Sequence, residues 1–251
     1  PSLSGANSAA DMCTLSWWQK PGCYGVFFNR DESVRRSAAQ PPGICEEGGA
    51  TYICPLDPDG GGTWIFANRA GVIGCLLNNY SVPHKAKNPV SRGLLLKSLA
   101  RYGTIPAAVE ALEDADLASY SGFHLFLFSD TATLLYNWGG DRLSRQSGSQ
   151  ISRPLTSSGY RYEEVAAYRR EQFRLQVDPE SADYLQSLEE FHNYHDECLP
   201  AHSPLMVRSD ARTVSQSRVS VEPNQISFSY RAVDLSRRPQ SALLTTLSRD
   251  F

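Results

Sequence analysis

Residues 12–33, with the sequence MCTLSWWQKPGCYGVFFNRDES, predict a β-hairpin at the centre of the fold. Cys13–Trp18 and Tyr24–Asn29 are short runs rich in aromatic and β-branched residues, which is typical of strands. The sequence between them contains KPG, a turn signal. Antiparallel pairing across this turn brings Arg30, which lies just after the second run, beside Cys13.

Outside this hairpin the chain runs in blocks of strands and helices. Further strands are predicted at Thr51–Cys54, Thr63–Ala67, Val72–Asn78, Phe123–Phe128, Thr133–Trp138, Leu205–Arg208, Thr213–Val221 and Ile226–Tyr230. Helical spacing of apolar residues predicts helices after Ser91 as far as Leu99, from Thr104 to Leu112, and over Tyr162–Leu175 and Glu180–His195. Blocks of this kind predict an α+β fold, in which sheets are covered by helices, rather than a regular βαβ fold.

Length and composition fit one globular domain with a sizeable core. The chain has 251 residues, of which 41% are hydrophobic and 20% are charged. Residues 1–11 are small and polar without periodicity, so we expect a linker, a tag remnant or a pro-segment there, with Met12 as the natural start. We expect a single domain over residues 12–235 and a C-terminal tail over residues 236–251.

Charge and apolar patterning exclude two classes of partner. The formal net charge is −3 and no face of the chain is basic, so no nucleic-acid partner is expected. The longest apolar runs, Val72–Leu77 and Phe123–Phe128, are far too short to span a bilayer. No secretory signal accompanies the six cysteines, so we expect reduced thiols and a cytoplasmic protein. The sequence leaves a homo-oligomer open.

A set of short motifs in a fixed order resembles one known family. The motifs are Met12-Cys13-Thr14, Asn29-Arg30-Asp31-Glu32, Gly61-Gly62-Thr63-Trp64, Leu77-Asn78-Asn79-Tyr80, Ser91-Arg92-Gly93 and a late segment from Met206 to Tyr230. Together they resemble the NRDE family, also called the transport-and-Golgi-organisation family. That family is similar to the penicillin-V acylases and bile-salt hydrolases. The resemblance therefore implies an N-terminal-nucleophile hydrolase-like fold, a four-layer αββα sandwich with antiparallel sheets.

The resemblance also implies that Cys13 is a catalytic nucleophile. A thiol has a pKa of about 8.5 and an α-amino group one of about 8, so the amine of the same residue can serve as the general base. This chemistry requires the removal of Met12 and everything before it, because an amide nitrogen is not basic. The alternative interpretation is a cysteine buried in a strand.

Three charged residues follow at the end of the second predicted strand. Beside Cys13, the guanidinium of Arg30 would lower the pKa of the thiol and bind a carbonyl or carboxylate group. Asp31 and Glu32 are acceptors for the α-ammonium group or for Arg30, and we expect one of the two in the site. A charged turn that ends a strand is the other interpretation of this run.

Oxyanion donors and substrate ligands are implied in the same way. In the similar acylases an Asn after a buried strand donates its amide N–H to the oxyanion, and both Asn78 and Asn79 fit this place. Two turn-forming residues are an equally consistent interpretation. Ser157 stands where the acylases carry a second Asn, so a hydroxyl replaces that donor or the donor is lost. Arg212 is a candidate ligand for a substrate carboxylate, or else a surface arginine on a strand.

A weak metal motif lies near the end of the last predicted helix. His192, His195 and Cys198 recur every three residues, which places both imidazoles on one helix face. Because no fourth ligand is evident, we interpret this run as a solvated helix end and expect neither a metal nor a cofactor.

Two functions of different classes follow from the sequence. The first is an N-terminal-cysteine amidohydrolase that acts on a small amide or acyl substrate. The second is a non-catalytic carrier or chaperone on the same fold, for a hydrophobic small molecule such as haem or lipid, which the resemblance to eukaryotic relatives implies. In both, the expected partner is a small-molecule substrate or ligand.

Overall fold

The computed structural model describes residues 12–81, 89–234 and 240–249, and its strands form two antiparallel sheets. The segment 1–11, expected to be a linker or pro-segment, lies outside the described residues. In spatial order, the first sheet consists of β10 (Leu155–Ser158), β1 (Met12–Lys20), β2 (Cys23–Ser33), β11 (Ala211–Val221), β12 (Gln225–Ala232) and β13 (Leu243–Ser248). The second consists of β3 (Gln40–Glu47), β4 (Ala50–Leu56), β5 (Ile65–Asn68), β6 (Ile73–Asn78), β7 (Phe123–Phe128), β8 (Thr133–Trp138) and β9 (Leu143–Ser147).

Four α-helices of the described chain cover the outer faces of the sheets. They are α1 (Arg92–Leu99), α2 (Ile105–Glu113), α3 (Tyr162–Gln176) and α4 (Tyr184–Asn193). None of these described helices is long and apolar enough to cross a membrane.

The layers are held together by separate apolar clusters. Side chains such as Leu15 and Ile73 form the core between the two sheets. Leu96 of α1 belongs to the cluster on the outer face of the second sheet, and Phe173 and Leu188 of α3 and α4 belong to one on the outer face of the first. This arrangement is the four-layer αββα sandwich, so that prediction is confirmed.

Four strands that the sequence did not predict each lie at the edge of a sheet, namely β3, β9, β10 and β13. The strands β3, β9 and β13 are mostly exposed and lack apolar alternation, and β10 has only four residues. Strand β3 even contains Pro41 and Pro42, which an edge strand tolerates because one row of its N–H groups needs no partner strand. Strand β13 lies in the stretch expected to be a tail and pairs with β12.

The strand predicted at Leu205–Arg208 is wrong. Only an isolated bridge joins Val207 to Arg212 there. The backbone N–H groups of Leu205 and Val207 instead bond to carbonyl oxygens of Tyr194 and Pro200, so the segment folds back on the loop that follows α4. The remaining predicted elements lie within a few residues of the observed ones.

Strand alternation sorts the side chains of β1 and β2 onto two faces. Cys13 stands directly opposite Arg30, and Met12 stands opposite Asp31, so the predicted hairpin and its pairing are confirmed. The face with Cys13 points toward the second sheet. The face with Asp31 and Thr14 points toward α3.

A buried ion pair holds α3 on this outer face. The guanidinium of Arg169 donates to the carboxylate of Asp31 at 3.1 Å, to the hydroxyl of Thr14 and to the carbonyl oxygen of Ser203 at 2.8 Å. The other oxygen of Asp31 accepts from the Thr213 hydroxyl at 2.6 Å. Both members of the pair are fully buried, and desolvation raises the pKa of Asp31 to about 6 despite the attraction of Arg169. The pair therefore fixes α3 and three strands to one another.

Removal of Arg169 should be strongly destabilising. In Arg169→Met the Asp31 carboxylate remains buried without its cation, and we expect the free energy of unfolding to fall by about 3–5 kcal/mol. Urea denaturation followed by fluorescence measures it. Arg174→Met is the matched control, because Arg174 lies on the same helix but is exposed and forms its ion pair with Glu171 on the helix surface. An equally small loss of stability in Arg169→Met and in Arg174→Met would contradict this role of Arg169.

A second polar cluster joins α4 to the same hairpin. Nε2 of His192 lies 2.7 Å from the Ser16 hydroxyl, and Nδ1 lies 3.0 Å from the side-chain oxygen of Asn29. The amide nitrogen of Asn29 donates to the carbonyl oxygens of His192 and Pro204, so its oxygen must accept. Nδ1 of His192 therefore carries the proton, and Nε2 accepts from Ser16. Burial, together with the charge of Arg169, lowers the pKa of His192 to about 3.

Stability should depend on pH through His192. Its pKa is 6.5 unfolded and about 3 folded, so the unfolded chain binds the extra proton and stability falls as pH drops from 6.5 toward 3. At pH 5 this loss amounts to about 2 kcal/mol. Denaturation at pH 7 and at pH 5 gives the free energy of unfolding of the wild type and of His192→Gln. On going from pH 7 to pH 5, the wild type should lose about 2 kcal/mol more of this free energy than the variant. Asp31 titrates in both proteins, so its contribution cancels in the comparison. If the free energy of unfolding depended on pH in the same way in both proteins, a neutral, buried His192 would be refuted.

Candidate functional site

A polar cavity of about 290 Å³ opens between the two sheets and is called here the front cavity. Its wall contains Cys13 at the start of β1 and Arg30 and Glu32 at the end of β2. Residues 57–64, the end of β6 at Asn78 and residues 89–93 close the other sides. Most of the residues that the sequence motifs singled out therefore meet at one place.

Cys13 lies between two candidate partners in neighbouring strands. Its cross-strand neighbours are Arg30 in β2 and Ser157 in β10, and neighbours across a ladder share a face of the sheet. The sulfur is largely buried, since 9% of the residue is exposed at the cavity wall. The hydroxyl of Ser157 is buried and has no hydrogen-bond partner among the described residues. This unpaired hydroxyl beside the thiol is a candidate donor, although Ser157 is fully buried and is not among the residues that line the front cavity.

Arg30 is held rigidly by an acid and an aromatic ring. Its Nη2 donates to Oε2 of Glu32 at 2.8 Å, and its guanidinium carbon lies 4.2 Å from the ring centroid of Trp64. Arg36 contacts the same oxygen of Glu32 at 3.7 Å and also binds Asp57. Glu32 is therefore the acid that orients Arg30.

Asp31 borders the front cavity, but its carboxylate belongs to the opposite face of the sheet. Both of its oxygens are held there, by Arg169 and by Thr213. Strand alternation explains the difference, because Glu32 shares the face of Arg30 and Asp31 does not. Of the two candidate acids, the structure brings only Glu32 to Arg30.

The two adjacent asparagines are also separated by the structure. Asn78 lines the front cavity and donates its amide N–H to the Tyr80 hydroxyl at 2.7 Å. Asn79 instead donates to the carbonyl oxygen of Trp138 at 3.3 Å and accepts from the backbone and hydroxyl of Ser81. Asn78 is thus the one placed to face a ligand, and Asn79 forms a turn.

Arg212 does not line the front cavity. It stands opposite Glu32 in β11, and its side chain lines a second cavity of about 680 Å³ behind the ion pair of Arg30 and Glu32, called here the rear cavity. The register of β11 shifts between Thr213 and Ser215, where Val214 is the extra residue of a β-bulge.

Two glycines explain why the motifs around residues 62 and 93 belong together. The backbone N–H of Thr63 donates to the carbonyl oxygen of Gly93 at 3.1 Å. A Cβ atom added to Gly62 would lie 2.2 Å from the backbone of Gly93, which leaves no room for a side chain. Glycine is therefore required where these two walls of the front cavity touch.

The residues of the weak metal motif do not converge. His192 is bonded to Ser16 and Asn29, whereas Nδ1 of His195 lies 2.9 Å from the carbonyl oxygen of Leu205, and Cys198 is exposed. Within residues 12–81, 89–234 and 240–249, no group of three His, Cys, Asp or Glu side chains could hold a metal ion.

Several residues of the front cavity were not predicted as site residues. Trp64 and Arg92 lie inside recognised motifs, and their position in those motifs was the available signal. Arg36 and Asp57 lie in loops without any motif, and only their mutual ion pair reveals them.

Comparisons with known proteins agree with this geometry. The family model described as Transport and Golgi organisation 2 matches residues 12–159, more than half of the chain. No curated protein matches the sequence significantly.

Among solved structures, an N-acylethanolamine-hydrolyzing acid amidase ortholog from Caenorhabditis elegans is similar over 82% of this chain and 91% of its own, with a TM-score of 0.55 and 12% identity. A variant of conjugated bile acid hydrolase from Clostridium perfringens covers 95% of this chain and 97% of its own, with a TM-score of 0.49 and 12% identity. The likeness to the amidase shows an N-terminal-nucleophile hydrolase-like fold, and the family match shows that the chain belongs to the Transport and Golgi organisation 2 family.

Proposed function

We propose that this protein, once cleaved in front of Cys13, is a cysteine amidohydrolase for a small, non-peptide amide or acyl substrate. The observation that carries the proposal is the position of Cys13 on the wall of the front cavity, opposite Arg30 and Ser157. The similarity of the fold to that of the N-acylethanolamine-hydrolyzing acid amidase ortholog supports the class of reaction. A cytoplasmic location, expected from the cysteines, belongs to the same proposal.

The reaction follows from the groups around the sulfur. The α-amine of Cys13 takes the thiol proton, and the thiolate attacks the carbonyl carbon of the substrate. The oxyanion that forms is stabilised by the amide N–H of Asn78 and the hydroxyl of Ser157. The ammonium group then protonates the leaving amine as the C–N bond breaks, which leaves a thioester. Water, deprotonated by the α-amine, hydrolyses the thioester and restores the thiol.

An internal contact engages Asn78 when no substrate is bound. Its amide nitrogen carries two N–H groups, one of which donates to the Tyr80 hydroxyl. Tyr80 is about one-third exposed, at 38%, so its ring can move aside toward solvent. The contact preserves the orientation of Asn78 in the absence of substrate.

Met12 favours a second candidate function, binding without hydrolysis. Met12 is fully buried among Val165, Met206 and Ala211, and its sulfur accepts from the Ser158 hydroxyl at 2.8 Å. A chain that keeps Met12 has an amide in place of the amine and no internal base at Cys13. The front and rear cavities would then serve a carrier for a hydrophobic small molecule.

Removal of Met12 should activate the thiol. We expect a chain that begins at Cys13 to react with iodoacetamide at Cys13 at least about tenfold faster at pH 7 than a chain that keeps Met12, because only the former carries the amine beside the sulfur. Peptide mass spectrometry gives the rate at each cysteine. The exposed Cys198 is the internal reference and should react equally in both chains. Equal rates at Cys13 would leave the carrier as the better account.

Asn78 should contribute to oxyanion stabilisation, whereas Asn79 should not. With the chain that begins at Cys13, 4-nitrophenyl acetate should give a burst of nitrophenolate as the thioester forms. We expect Asn78→Ala to slow this burst by about 10²–10³-fold, since one oxyanion donor is lost. Asn79→Ala is the matched control and should keep a near-wild-type rate. If Asn79→Ala slowed the burst and Asn78→Ala did not, the oxyanion donor would be Asn79 and the assignment to Asn78 would be wrong.

A further inference from the structure

We propose that the rear cavity binds the carboxylate of a small amphipathic acid, with Arg212 as its anchor. The cavity, of about 680 Å³, lies between the inner face of the first sheet and the loop that joins β2 to β3. Its volume is within the range of small-molecule sites in proteins. The proposal does not depend on hydrolysis at Cys13, which is not among the residues that line this cavity.

Arg212 carries the first argument. Its Nε and Nη1 atoms are buried, and neither has a hydrogen-bond partner among the described residues. Buried donors of a charged group are costly when they are left without an acceptor, so they mark a place where an acceptor binds. Glu32 stands opposite Arg212 in the sheet, and Nε and Nη1 nevertheless have no partner in the described chain; the oxygens of Glu32 accept from Arg30 and from the backbone N–H of Ser33.

The balance of charge distinguishes the two cavities. The described lining of the rear cavity contains three guanidinium groups, those of Arg30, Arg36 and Arg212, and one carboxylate, that of Glu32. The front cavity has three guanidinium groups, those of Arg30, Arg36 and Arg92, against the two carboxylates of Glu32 and Asp57, because the carboxylate of Asp31 lies on the opposite face of the sheet. The excess of cations is therefore larger in the rear cavity, which favours an anion there.

The rest of the lining sets the kind of anion. Val214, Ala232, Val233, Ala39 and Leu243 contribute apolar walls next to the guanidinium groups. An apolar body with one charged end matches such a lining. Arg30 and Arg36 already form ion pairs with carboxylates, which leaves the charge of Arg212 for a ligand, so a monoanionic carboxylate fits better than a doubly charged phosphate.

The β-bulge at Val214 adds one residue to the wall of this site. On the near side of the bulge Thr213 faces the helices and bonds to Asp31, whereas on the far side Ser215 stands opposite Arg30 on the inner face. Arg212 and Val214 flank Thr213, so strand alternation places both on the cavity side while Thr213 serves the outer ion pair, and the extra residue brings Ser215 to the same inner face. Bulges are often found at places where a strand has to aim a functional side chain.

Octanoate is the probe for this site. Isothermal titration with the Cys13→Ala protein should show octanoate binding, and octan-1-ol or octylamine should bind at least about tenfold more weakly because they lack the anion. The Cys13→Ala background separates this test from the proposed hydrolysis, which it abolishes. If octanoate and octan-1-ol bound with equal affinity, this comparison alone would overturn the proposal.

Three variants assign the binding to Arg212. Arg212→Gln should weaken octanoate binding by about tenfold to a hundredfold, since charge-assisted hydrogen bonds are lost. Val214→Glu should abolish it, because the introduced carboxylate occupies the guanidinium of Arg212. Arg218→Gln is the matched control on the same strand: Arg218 lies outside the rear cavity, near Glu189 of α4, and octanoate should bind to this variant as to the parent. Undiminished binding in Arg212→Gln or Val214→Glu would overturn the proposal.

Discussion

The buried pair of Asp31 and Arg169 is the interaction on which the rest of the structure depends. It lies on the helix-facing side of the first sheet and joins β1, β2, β11 and α3 through a single guanidinium and a single carboxylate. Because side chains alternate along a strand, fixing Asp31 outward fixes Arg30 inward, and the register then sets Cys13 opposite it. A slip by one residue would turn both toward the helices. The positions of Cys13 and Arg30 at the front cavity are thus set by an ion pair on the opposite, helix-facing side of the sheet.

Two cavities with different electrostatics result from the same pair of strands. The Arg30–Glu32 ion pair forms the wall between them and is held by the ring of Trp64 and by Arg36. On one side of this wall a thiol is present and three guanidinium groups face two carboxylates; on the other side three guanidinium groups face one carboxylate and apolar residues follow. Arg30, Glu32 and Arg36 line both cavities.

The sequence predicted the central part of the fold and site for physical reasons. The hairpin of residues 12–33 has strong β-forming runs and a clear turn, so the neighbourhood of Cys13 and Arg30 followed from local chemistry alone. The four missed strands lie at sheet edges, where exposure or short length removes the apolar pattern. The choices between Asp31 and Glu32, and between Asn78 and Asn79, needed the direction of each side chain, which adjacent residues of the same type cannot reveal. Arg36 and Asp57 come together only through tertiary structure, so no local pattern could have found them.

The structural consequence of freeing Cys13 is the most direct test of this account. Met12 contributes a buried side chain and two cross-strand pairs, with Asp31 and Ser158, but the ion pair of Asp31 and Arg169 does not include it. A crystal structure of the chain that begins at Cys13 should therefore show β1 in the same register, with the sulfur on the wall of the front cavity opposite Arg30. A strand that has slipped or separated from β2, with the sulfur turned toward α3, would contradict the account.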